Sequence, residues 1–242
     1  MLGRGRGSSD SPAHSFLYGE GLDFPLYEGR PRLFVCLHFV PRSGSNLLAD
    51  LMRQTERLGF PLEYFSPANL RDLASRLPQL SLSHLDSLFQ RRTSPNGVFS
   101  YKWNSNFQAL EAESRVARAL TPRTNVFIDR RDLDAQARSF LVASKTGIWA
   151  RQKGVRHSVE EPDLSPEDME HAKEQLSEVR AETLAILCEE RDPTLTVYAE
   201  DLFEEPASTV KSVMEYCGVS IDGLSLPATA SQTAPSATHK AK

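Results

Sequence analysis

No apolar run in this sequence is long enough to cross a membrane. The longest, Leu33 to Val40, falls far short of the roughly 20 residues that a spanning helix needs. Cysteine is scarce: Cys36, Cys188 and Cys217 form no C-x-x-C pair and no metal-ligand spacing, which excludes a disulfide framework and leaves three reduced core residues as the expectation. Charge of one sign is not in excess either. A net charge of −4 argues against a dedicated nucleic-acid binder, which shows a strongly basic domain or stripe. There is no internal repeat, no apolar leader of the secretory kind, and no G-x-x-x-x-G-K-S/T phosphate loop of the ATP type. These absences leave a soluble, cytoplasmic protein without membrane or nucleic-acid partners as the expectation.

What is present is a globular mixture, 40% apolar and 25% charged over 242 residues, enough for one sizeable domain. Residues 1–30 are rich in Gly, Ser and Pro and read as a mobile arm or irregular lead-in. Residues 224–242 are an Ala/Ser/Thr/Pro tail that reads as lacking fixed structure. Between them, over 31–223, strand-like and helix-like stretches alternate. Leu33–Val40, Val98–Lys102, Asn125–Asp129 and Thr194–Tyr198 have strand character. Residues following Asn46, Phe107–Leu120, Leu133–Trp149, Ser165–Glu190 and Pro206–Cys217 have helical character. Such alternation specifies an α/β fold, a parallel sheet flanked by helices.

The loop Pro41-Arg42-Ser43-Gly44-Ser45-Asn46 joins the first strand to the first helix. A turn of this kind presents backbone N–H groups and the positive end of a helix dipole, which suits a phosphate or sulfate. Gly44 lets the backbone approach an anion, Ser43 and Ser45 offer hydroxyls, Arg42 supplies a charged fork, and Asn46 can cap the helix. Arg123 to Arg156 holds eight Lys or Arg against three Asp. This is a local cationic excess inside an acidic chain.

Pro-Arg-Ser-Gly-Ser-Asn-Leu-Leu after an apolar strand resembles the 5′-phosphosulfate loop of sulfotransferases that use PAPS (3′-phosphoadenosine-5′-phosphosulfate), particularly the bacterial Stf0 (trehalose sulfotransferase) family. Pro61-Leu-Glu63-Tyr-Phe, Pro95-Asn-Gly-Val-Phe-Ser-Tyr-Lys102, Phe127-Ile-Asp-Arg130 through Ser139, and Thr146-Gly-Ile-Trp-Ala-Arg151 resemble later segments of that family, in the same order. The resemblance covers roughly 33–156 and implies a P-loop-like α/β fold. It implies Glu63 as catalytic base, Arg42 and Lys102 as active-site cations, and Arg130 with Ser139 as holders of the donor's 3′-phosphate. Two positions depart from the pattern: Asn46 stands where many members have Thr, and 225–242 has no Arg where members carry Arg and Trp residues that complete the site.

The expected chemistry is in-line transfer of a sulfuryl group from PAPS to a hydroxyl of a small, carbohydrate-like acceptor, leaving PAP (3′-phosphoadenosine-5′-phosphate), with no metal. Residues 64–95 and 157–165 are candidates for the acceptor pocket. His38 lies within a strand and reads as a satisfied core histidine rather than a base. A PAPS- or PAP-binding homologue without turnover, and a P-loop small-molecule kinase, stay open as alternatives. Relatives of this kind include dimers, which leaves a homodimer open.

Overall fold

The computed structural model describes residues 15–66, 82–104, 120–155, 162–190 and 192–233. Its centre is a four-stranded, wholly parallel sheet of order β2-β1-β3-β4, made by β1 (Leu33–Phe39), β2 (Val98–Trp103), β3 (Arg123–Asp129) and β4 (Thr194–Tyr198). Parallel strands covered on both faces are apolar nearly throughout, and β2 is buried at every position. The helices are α1 (Ser45–Gln54), α2 (Leu82–Arg92), α3 (Leu133–Thr146), α4 (Pro166–Glu190), α5 (Ala199–Glu204) and α6 (Pro206–Tyr216). The expected helix at Phe107–Leu120 lies outside the described residues except for Leu120.

Strand pleating divides the core. Val35, Leu37, Val126 and Ile128 face Leu48, Leu51, Val210 and Val213 of α1 and α6. Phe34, Phe99 and Tyr101 face the other way, against Leu88 and Phe89 of α2 and against Leu17 and Tyr18. Truncating one of these, such as the fully buried Leu51, to alanine costs about 2–5 kcal/mol.

The sheet order has a functional consequence. The chain passes from β1 to β2 on one side and adds β3 on the other, so the strand order reverses at the carboxyl end of β1. Ligands of open α/β sheets settle in the crevice at such a switch point.

Several expectations are adjusted by the packing. Residues 15–30, assigned to a mobile arm, hold Leu17, Tyr18, Leu22 and Phe24 in the core. Arg92, 1% exposed, fixes them by an ion pair to Asp23 at 3.0 Å and by donating to Gly19 O at 3.3 Å. Residues 224–233, assigned to a structureless tail, run back onto α1. There the fully buried Asp50 carboxylate accepts from Ser231 Oγ at 2.7 Å, Gln232 N at 2.7 Å and Thr233 N at 2.9 Å. Residues 82–92, part of the candidate acceptor pocket, form α2 and pack Leu85, Leu88 and Phe89 into the core. Residues 67–81 and 157–161 of that candidate lie outside the described residues. Cys188 is exposed, on an outward position of α4, whereas Cys36 and Cys217 are buried. Ser165 does cap α4, accepting from Asp168 N at 3.0 Å.

Candidate active site

The loop after β1 has the shape its sequence suggests, for partly different reasons. Arg42 and Gly44 both take left-handed backbone conformations, with φ of 67° and 84°. A non-glycine residue held there is strained by about 1–3 kcal/mol, and such residues cluster at binding and catalytic loops. The helix begins at Ser45 with Gly44 as its N-cap and no side chain capping it. Asn46 therefore lies inside the first turn and is not the cap. The N–H groups of a first helical turn have no partner within the helix, and α1 directs them toward the switch point. Ser43 is fully buried, and its Oγ has no hydrogen-bond partner. Gly44 serves packing as much as access: a Cβ there would stand 3.3 Å from the Phe203 ring and 3.6 Å from Leu202.

Beyond the end of β3, Arg130 is 5% exposed, and its Nε and Nη1 have no hydrogen-bond partner. Its nearest carboxylate is Glu200 at 3.9 Å, and its guanidinium lies over the Phe203 ring, 5.9 Å from the centroid. Pairing with Asp132, the ordinary alternative, is not what the structure has. Asp132 caps α3 by accepting from Ala135 N at 2.9 Å. Arg42 Nε donates to Ser139 Oγ at 2.9 Å and Nη1 donates to the Trp149 carbonyl. Burial, then repulsion from Arg130 and from Arg151, lowers the Arg42 pKa to about 10. Loop, Arg130 and Ser139 thus meet in one place, with Arg42 leaning onto Ser139 rather than standing alone in the loop. Arg151 belongs to the same cationic neighbourhood.

On the other side of β1, Lys102 is 1% exposed and its Nζ donates to Asn46 Oδ1. Burial lowers its pKa to about 8, against the opposing pull of Glu63; Arg42 pushes the same way as burial. Glu63 is brought there by the segment before it. Gly59 passes so close to β2 that a Cβ would lie 2.8 Å from Ser100 N. Leu62 then bridges to Tyr101 in parallel, and Lys102 N donates to Leu62 O at 2.9 Å. Burial raises the pKa of the partly buried Glu63 and Lys102 lowers it. The two form a coupled acid–base pair beside the uncapped helix end.

His38 is fully buried, with Nε2 3.3 Å from Asn125 Oδ1 and Nδ1 without a hydrogen-bond partner. Only one nitrogen is satisfied, a correction to the expected core histidine. Burial first, with a smaller push from Arg123, lowers its pKa to about 4.

Sequence reasoning missed the residues that hold these parts. Glu200, at the start of α5, accepts from Arg131 N at 3.2 Å and Asp132 N at 3.1 Å. Arg180 donates to Asp129 Oδ1 at 2.9 Å and Arg130 O at 3.0 Å, and Gln136 donates to Pro41 O at 2.8 Å. An acidic pair directly after a strand, Glu200-Asp201, is a signal that could have located the first. Nothing local marks Arg180, whose partners lie about 50 residues away. Among the described residues, no group of three or more His, Cys, Asp or Glu is placed to hold a metal, and no helix is long and apolar enough to cross a membrane.

No family model matches the chain. No curated protein matches it. Among solved structures it is similar to the sulfotransferase domain from the curacin biosynthetic pathway, at 12% identity over 81% of this chain and 77% of that one, with a TM-score of 0.48. It is similar also to the sulfotransferase domain from the Synechococcus PCC 7002 olefin synthase, at 14% identity over 82% and 78%, TM-score 0.47. A third is mouse sulfotransferase SULT7A1 complexed with PAP, at 14% identity over 87% and 66%, TM-score 0.39.

Proposed function

We propose that the protein is a sulfotransferase that moves a sulfuryl group from PAPS to a hydroxyl of a small, carbohydrate-like acceptor. The observation that carries this reading is Arg130: a buried guanidinium with two donors lacking hydrogen-bond partners, near the Arg42 that bonds Ser139, and on the Phe203 ring that abuts the uncapped start of α1. Leaving such donors without partners costs about 1–3 kcal/mol each, and an anion offsets that cost. Two donor clusters at the carboxyl ends of β1 and β3 suit a ligand with two separated phosphate groups, and the motif resemblance names a nucleotide of that kind.

Bound PAPS supplies an activated sulfuryl group. In this reading the α1 N-terminus, Ser43 and Ser45 hold the 5′-phosphosulfate end, while Arg130 and Ser139 hold the 3′-phosphate. Arg42, bonded to Ser139, stands between the two. Glu63 accepts the acceptor's hydroxyl proton, and its raised pKa makes it a better base than an ordinary carboxylate. Lys102, held by Asn46 Oδ1, places positive charge where the leaving oxygen becomes more negative. Asn46 thereby has a role distinct from the hydroxyl at the matching family position.

Titration calorimetry with PAP, AMP and ATP tests the assignment, followed by mass spectrometry of a hydroxylated panel incubated with protein and PAPS. PAP is expected to bind most tightly and sulfated products to form. Preference for ATP points instead to the kinase class. Tight PAP binding without product points to a homologue that has lost turnover.

A further inference from the structure

The two anion-binding arms come from different strands, and the structure contains a link between them. Gln136 is fully buried in α3. Its Nε2 donates to the Pro41 carbonyl at 2.8 Å and its Oε1 accepts from Arg180 Nη2 at 3.3 Å. The same Arg180 Nη2 donates to the Arg130 carbonyl at 3.0 Å, and Nε donates to Asp129 at 2.9 Å. One continuous chain of hydrogen bonds therefore runs from the loop after β1 to the turn after β3.

Both of its ends grip peptide planes that aim anion donors. The Pro41–Arg42 peptide is a rigid trans unit, so a carbonyl fixed toward Gln136 turns the Arg42 N–H the opposite way and sets the entry into the left-handed Arg42 conformation. Proline has no N–H of its own, which makes that carbonyl the hydrogen-bonding handle of Pro41. At the other end, the Arg130–Arg131 plane is held from both sides, its carbonyl by Arg180 and its N–H by Glu200. Arg180 also neutralises Asp129, which would otherwise place a carboxylate beside the Arg130 turn.

We propose that Gln136 and Arg180 are positioning residues that set the spacing between the two arms, and so make the protein selective for a nucleotide with phosphates at both its 3′ and 5′ positions over one with either alone. The inference rests on the sulfotransferase reading for the identity of the ligand. Neither residue touches the nucleotide. Each acts through the backbone it holds, so single-phosphate binding survives its loss while two-point binding suffers.

The test is calorimetry of the full chain with PAP, 5′-AMP and 3′-AMP, on wild type and on Gln136→Met, which keeps the volume and removes both polar contacts. Wild type is expected to prefer PAP over both monophosphates. In Gln136→Met that preference should fall roughly tenfold, the size of one ordinary hydrogen-bond contribution, with both monophosphates binding as before. Equal weakening of all three ligands, or an unchanged preference, overturns the proposal. A wild type that does not favour PAP refutes the sulfotransferase reading itself, and the brace with it, and is recognised before any variant is made. If Gln136→Met does not fold by circular dichroism, Arg180→Lys decides on the same ratio, because a single ammonium can keep Asp129 but cannot span Asp129, Arg130 O and Gln136 together.

Discussion

Lys102 on β2 and Arg130 beyond β3 are both almost fully buried cations, yet β1 separates two opposite ways of tolerating them. Lys102 is neutralised from within, since Glu63 lies beside it and Asn46 accepts from its Nζ, although Arg42 repels it across the loop. Arg130 has only looser carboxylate company, Glu200 and Asp132, which support its charge against burial. Arg42 is close enough for their charges to repel, Glu200 is no nearer than 3.9 Å, and two donors are unpartnered. A self-neutralised pair can hold and release a proton, whereas a buried guanidinium with donors lacking hydrogen bonds has capacity left for an anion. In the proposed reading, proton transfer falls to the β2 side and ligand grip to the β3 side.

The strongest attempt to break that division is to remove the carboxylate proposed as proton acceptor. Glu63→Gln should lower kcat about a hundredfold or more and leave the PAP dissociation constant where it was, because Glu63 lies on the side away from Arg130. Unchanged turnover removes Glu63 from the mechanism. The reciprocal variant acts on the grip. Arg130→Ala should weaken PAP by roughly 10–100-fold, the value of charge-assisted hydrogen bonds, and weaken AMP far less. If calorimetry gives equal losses for the two ligands, Arg130 does not face the 3′-phosphate and the two sides do not differ as described.

Much of the arrangement on the β3 side was legible because its residues sit at a strand end and on the helix that follows. An arginine directly after an apolar strand and a serine on the following helix are visible in sequence, and the structure places Arg130 and Ser139 with Arg42. The boundaries of β1 and β4 were legible for the same reason, since β-branched and apolar runs leave few alternatives. The helix start was misjudged. Asn46 has the better capping side chain, but the left-handed turn at Arg42 and Gly44 starts α1 two residues earlier. Gln136, Arg180 and Glu200 were invisible because each looks like an ordinary polar helix residue until a distant partner meets it. The packing of 15–24 and 229–233 was hidden likewise. Low complexity suggested freedom, whereas single buried charges, Arg92 and Asp50, hold the two segments in place.

The pH dependence sharpens the contrast with a smaller effect. Catalysis in this reading needs Lys102 charged and Glu63 ionised. Burial moves Lys102 from 10.5 to about 8 and moves Glu63 above 4.5. The kcat/KM profile should therefore rise through the elevated Glu63 pKa and fall as pH passes about 8. The stability contribution has the opposite sense at the alkaline end. Between about 8 and 10.5 the unfolded chain binds the proton that folded Lys102 has released, so folding gains stability as pH rises through that window and lacks this gain below it. Lys102→Arg should move the alkaline activity limb upward, and Lys102→Met should flatten the stability rise in denaturant titrations. A limb that stays near 8 in Lys102→Arg belongs to another group.

The smallest effect isolates the contact through which the β3 side is shaped. The Phe203 ring lies between Gly44 and Arg130: a Cβ at Gly44 would stand 3.3 Å from it, and the guanidinium lies over it, 5.9 Å from the centroid, so a methyl group at Gly44 presses on that ring. Gly44→Ala also forces an alanine to a φ of 84°, and together these should cost about 1–2 kcal/mol in denaturant unfolding. Gly147→Ala is the control, because its φ is 71° and a Cβ there meets nothing within 4 Å, leaving backbone strain alone. Relative to Gly147→Ala, Gly44→Ala should weaken PAP while leaving the alkaline limb assigned to Lys102 in place. If instead the limb moves and PAP binding does not, the two sides of β1 are coupled through the loop rather than divided by the strand.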